Sequence, residues 1–177
     1  MQILLDNLTA TIMGGAILLM IITANMSNRE SLTDSTAFYS MMMKQEAFAY
    51  MLTRDLQGVE SLSSIEEASD STFRFRGHIG DNATLHTIVY KREYVRDYEG
   101  TPYYQIYRMV DGEIVGGSGD IITSWRIEAQ DATGAKVTDT DAAKQIYVRF
   151  DVGSKIGDQA KIEQTYWEAS FFPPLLR

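Results

Sequence analysis

From Asn7 to Asn28 the chain carries no ionisable side chain, with Asp6 before the run and Arg29 after it. As a helix this stretch spans roughly 33 Å at ~1.5 Å per residue, close to a hydrocarbon core of ~30 Å. A helix resting on a soluble core is seldom apolar on every side for so long. The pattern predicts a retained membrane span. A cleaved secretory signal is the competing reading, with Thr23, Ala24 and Asn25 as its exit, but no Lys or Arg precedes the run to give a basic start. Past Arg29 the pattern becomes amphipathic. Leu32, Thr36, Tyr39, Met43, Phe48, Leu52, Leu56 and Val59 recur at steps of three to five, with Arg29, Glu30, Asp34, Lys44, Arg54 and Asp55 mostly off that stripe. Neither glycine nor proline occurs between Gly15 and Gly58, so one helix is expected from about Leu4 to Gln57. Gly58 and the Ser61, Ser63, Ser64 cluster end it.

After Gly58 the period falls from helical to alternating. Ser71 to Gly77, Thr84 to Glu93, Tyr103 to Val110, Ile121 to Asp131, Gln145 to Val152 and Lys161 to Phe172 read as strands, and Asp111-Gly112 reads as a hairpin turn into Glu113–Val115. Six or seven strands in short order describe an antiparallel sheet with one face to be covered, and the stripe on the preceding helix supplies the cover. The expected class is α+β, a long N-terminal α-helix packed on an antiparallel β-sheet. The expected parts are 1–28 as the membrane or filament-core helix, 29–58 as its amphipathic continuation, and 59–177 as the sheet domain. Leu32, Tyr39, Met43, Phe48, Leu52 and Leu56 are the expected helix–sheet contacts.

Composition narrows function mainly by exclusion. A net charge of −8 without a clustered basic surface argues against a nucleic-acid partner. The chain has no cysteine, which removes disulfides, thiolate metal sites and cysteine nucleophiles. His78 and His86 show no partner at zinc-ligand spacing, and no phosphate loop or G-x-S-x-G elbow occurs. Glu66, Glu67 and Glu113 are the carboxylates available for acid–base work, but nothing singles them out, so no enzyme and no obligatory cofactor is expected. Calcium has the best metal case, with Asp131, Asp139 and Asp141 flanking a polar loop and a solvated loop as the alternative. Tyr90, Tyr94, Tyr98, Tyr103, Tyr104 and Tyr107 gather in one hairpin region, where cross-strand packing competes with a protein-contact role. The tail Phe171 to Arg177 is apolar and cannot continue a strand through Pro173-Pro174, so it docks on a neighbour or folds back.

The two-character helix leading into an antiparallel sheet resembles the type IV pilins and the pseudopilins of type II secretion. Phe48 to Leu62, with Arg54-Asp55-Leu56 near the helix end, resembles the larger minor pseudopilins and similar minor pilins. So do the hairpin Ile106 to Val115, with Tyr107-Arg108 and Asp111-Gly112, and the closing pair Asp120 to Gly134 and Lys144 to Gly153. The resemblance implies a structural subunit of a filament or pseudopilus in a bacterial envelope. Its partners would be like or related subunits, and the membrane would hold it before assembly. Localisation would be an inner-membrane single pass with a periplasmic or extracellular domain, or an extracellular filament. Family precursors carry a short basic leader, removed to expose a first residue that is followed four residues later by a glutamate. Here Met1 begins the sequence directly, as in a trimmed chain or a relative processed otherwise, and the nearest acid is Asp6, one position late. The resemblance gives Asp6 the glutamate's part, pairing with a neighbouring amine; a first-turn acid at the helix start is the plainer reading. Met1, Asp6, Leu8, Ile12, Gly14, Gly15, Leu18, Leu19 and Ile22 form the expected assembly surface. Gly14-Gly15 lets a second backbone approach closely, although glycines are also common in membrane helices. A single-pass anchored binding or scaffold module is the alternative.

Overall fold

The computed structural model describes residues 2–80, 84–137, 143–156 and 161–172, with side chains described from Met13 onward except at 155–156 and 161–163. One helix, α1 (Gln2–Gln57), runs without a break. Eight strands follow among the described residues: β1 (Ile65–Ala68), β2 (Thr72–His78), β3 (Leu85–Tyr98), β4 (Thr101–Val110), β5 (Glu113–Gly117), β6 (Ile122–Gln130), β7 (Gln145–Ile156) and β8 (Lys161–Phe171). They make one antiparallel sheet in the order β1-β2-β3-β4-β6-β7-β8, with β5 paired to β4. The expected α+β class, helix first and sheet after, is what the structure has. β4 and β6 meet through the single register pair Tyr104 and Ile122, and β5 takes the edge of β4 that β6 leaves open.

Local chemistry accounts for the turns. Asp111 and Gly112 both have positive φ, 50° and 92°, as a tight two-residue hairpin requires. The helix ends where Gly58 passes over β2. The amide of His78 donates to the Gly58 carbonyl at 2.9 Å, and Val59 bridges to Gly77. A Cβ on Gly58 would lie 2.2 Å from the His78 carbonyl oxygen, which is backbone and cannot step aside. Gly58→Ala is therefore expected to destabilise the fold by roughly 1–3 kcal/mol or more. Thermal melting checks this against Gly116→Ala, whose new methyl would meet only the flexible Met51 sulfur at 3.3 Å.

The core lies between one face of the sheet and the second half of α1. Phe48 sits at its centre, with ring centroids 5.1 Å from Phe150, 6.0 Å from Trp125 and 6.2 Å from Tyr90. Leu52, Leu56 and Val59 extend the contact toward the helix exit, and Phe73, Phe75, Ile88, Ile106, Ile127 and Val148 meet them from the strands.

The front of the expected stripe is corrected. Phe48, Leu52 and Leu56 are at most 2% exposed, but Leu32, Tyr39 and Met43 are 67%, 68% and 72% exposed. The five-residue step from Met43 to Phe48 had already left the face. Walking back from Phe48 by threes and fours reaches Gln45, Met41, Phe38 and Asp34, and these are the buried or half-buried positions. Two polar residues on that face, Gln45 and Asp34, disguised it in the pattern.

Candidate functional site

Two features of α1 stand out, an exposed apolar stretch from Met13 to Met26 and a charged group that fastens the second half to the sheet. Between Met13 and Met26 every large apolar side chain faces outward, and even the least exposed of them, Ile22, is 46% exposed. Thr23 donates its hydroxyl to the Leu19 carbonyl at 2.9 Å, so that polar group needs no water. Thr33, Ser35 and Thr36 do the same one turn back. A contiguous apolar surface of this extent marks a protein or membrane contact. A Cβ on Gly14 or Gly15 would meet nothing within 4 Å, so no contact among the described residues explains two glycines in the middle of a helix. Each costs about 1 kcal/mol of helix stability relative to alanine.

Leu18, Leu19 and Ile22 of the expected assembly surface lie on this free half. Met1 lies outside the described residues, as do the side chains of Asp6, Leu8 and Ile12. Among the described residues no helix is long and apolar enough to cross a membrane. The side chains of Asn7 to Ile12, where the charge-free run begins, are not among those described.

The fastening is a buried ion pair. Asp55 and Arg108 have side chains only 1% and 7% exposed. Oδ1 of Asp55 accepts from Nη2 of Arg108 at 2.9 Å, and Oδ2 accepts from Nε of the same guanidinium. Oδ2 also accepts the Tyr90 hydroxyl at 2.6 Å. The two-pronged geometry suits a planar guanidinium facing a carboxylate. Burial, and then the charge of Asp55, push the Tyr90 phenol well above its usual range, so it stays a donor at any ordinary pH. Burial works against the Arg108 charge, but the bond and the charge of Asp55 outweigh it and raise its pKa.

Sequence reasoning missed this cluster by placing Asp55 off the stripe. Two signals were available. Asp55 adjoins Leu56 and follows Leu52 by three, and Arg108 falls on the same strand face as Ile106. The motifs that carry the pilin resemblance, Arg54-Asp55-Leu56 and Tyr107-Arg108, thus meet in space.

Most of the other candidate groups have structural partners. Nε2 of His78 lies 2.7 Å from Glu60, and Nδ1 of His86 lies 2.7 Å from Asp111. Glu66 accepts from Arg76 at 2.8 Å, and Glu67 from Ser69. Glu113 stands on β5, across β4 from the β1–β2 region. Asp131 uses Oδ1 within its own loop, accepting from the Thr133 amide and hydroxyl and from the Ala135 amide. Those bonds, the Thr133 hydroxyl first, hold its carboxyl below the usual range. Asp139 and Asp141 lie outside the described residues, and among the described residues no group of three potential ligands gathers for a metal.

The hairpin tyrosines divide. Tyr90 and Tyr103 are buried, whereas Tyr94 is exposed and packs edge-on against Tyr104. Of the tail, Phe171 packs partly on the core, Phe172 is exposed, and 173–177 lie outside the described residues. The chain matches no protein-family model, no curated protein and no solved structure.

Proposed function

We propose that this chain is a structural subunit of a pilin-like filament or pseudopilus in a bacterial envelope, held in the membrane before assembly and joined to like or related subunits through its N-terminal helix. The observation that carries the reading is the unbroken helix with two environments. Its second half is fastened to a sheet by apolar packing and a buried ion pair, and from Met13 to Met26 it presents apolar side chains with no cover. Lipid and neighbouring helices are the two surroundings in which that surface is stable. A rigid connection matters for assembly, because a domain that swivels on its helix would not repeat in a fixed orientation. A flexible tether would serve an anchored binding module equally well.

Gly14-Gly15 gives the test. Gly14→Leu with Gly15→Leu adds bulk where this chain offers no obstacle, and it improves helix propensity and hydrophobicity. The expected result is full retention in the envelope fraction with loss of cross-linked oligomers. Cross-linking unchanged from wild type would favour the anchored module and remove the filament reading.

A further inference from the structure

We infer that the Asp55–Arg108 pair sets the roll angle of α1 on the sheet, making Asp55 a positioning residue for the whole rod, including its free half. Apolar burial alone leaves that angle loosely defined. At ~100° per residue, Phe38, Met42, Ala49 and Leu56 continue the buried stripe round one flank of the helix. There Phe38 is half-buried and Met42 is 38% exposed. The apolar arc is thus wider than the strip in contact, and rolling toward Met42 exchanges one apolar neighbour for another. Burial is non-directional and resists such a roll weakly.

The backbone link at the exit, the His78 amide on the Gly58 carbonyl, fixes where the helix ends but lies beyond its last residue, Gln57. Asp55 stands on the opposite margin of the arc from Met42. Its two oxygens take a guanidinium fork and a phenol that are held by separate strands, β4 and β3. Rolling away breaks all three bonds and strands a buried cation. Because α1 is one continuous helix, an angle set at Asp55 is carried to Met13. Buried ion pairs often add little net stability beside apolar replacements, and defining a single arrangement is their best-attested use.

The test is made on isolated full-length monomers in detergent, so its outcome does not depend on the filament reading. The chain has no cysteine, and spin labels at Ser40→Cys on α1 and Ser170→Cys on β8 report the roll directly. Both positions are exposed. The wild-type background should give one narrow distance. Asp55→Leu with Arg108→Met and Tyr90→Phe keeps bulk and removes both charges together with the hydroxyl that would lose its acceptor. It should fold with a melting temperature near or above wild type, while the distance distribution splits or broadens with at least roughly a tenth of molecules in a second population. A folded triple variant with the single wild-type distance overturns the inference, since packing alone would then fix the angle. A triple variant that fails to fold also overturns it, since the cluster would then be a stability element.

Discussion

Asp55→Ala is expected to lower the stability of the sheet domain by about 3–5 kcal/mol, a drop in melting temperature on the order of 10 °C. The loss does not equal the strength of a salt bridge. Asp55 and Arg108 were both removed from water during folding, and the pair recovers that cost only while both are present. Alanine leaves the guanidinium buried without an anion and the Tyr90 hydroxyl without its acceptor, and it opens a small cavity. Arg54→Ala is the matched control. Arg54 is half exposed and stands 4.0 Å from Asp55, so its removal should change stability by less than about 1 kcal/mol. Chemical denaturation of the three proteins checks both numbers. If Asp55→Ala proves as mild as Arg54→Ala, the cluster is not buried in solution as it is in the structure.

The second large effect concerns the free half of α1. Removing residues 1–28 is expected to move the protein from the membrane or detergent phase to the aqueous phase with its melting behaviour intact. Eight large apolar side chains between Met13 and Met26 stand exposed. At about 1.5–3 kcal/mol for each when fully covered, lipid or helix contact gains on the order of 10 kcal/mol, far more than any charge on the sheet domain can offset. The core would not register the cut, because its first member on the helix is Met41 and the outermost side chain packed against it is Phe38. Phase partition and thermal melting measure the two halves of the prediction separately. A shortened chain that unfolds would mean that residues before Arg29 stabilise the domain, contrary to the exposure seen here.

Much of the fold could be read along the chain because its signals are local. A stretch without glycine or proline predicts an unbroken helix, alternating residues predict strands, and Asp111-Gly112 predicts a two-residue turn. β1 escaped notice because Ile-Glu-Glu-Ala offers no alternation, and its place comes from pairing with β2. β3 runs on to Tyr98 because β4 pairs with it that far, although the residues after Glu93 are polar enough to read as loop. The packing face of α1 was legible only where apolar residues keep step, from Phe48 onward. Before that, the sheet chooses a face bearing Gln45 and Asp34, and Leu32, Tyr39 and Met43 turn outward. The Asp55–Arg108 contact joins residues 53 positions apart. Charge pairing at that distance follows from tertiary geometry, and the local pattern only hinted at it by putting an acid beside Leu56 and a base beside Met109.

The most direct measurement uses the absence of native cysteine. A Leu18→Cys chain, expressed in a bacterial envelope, is treated with a bifunctional thiol reagent and, separately, with a membrane-impermeant maleimide. Covered helices predict a ladder of cross-linked species and a thiol shielded from the maleimide. A thiol that labels freely, on a chain recovered only as monomer, would mean that the exposed half of α1 stays in water, and neither a filament nor a membrane would account for it.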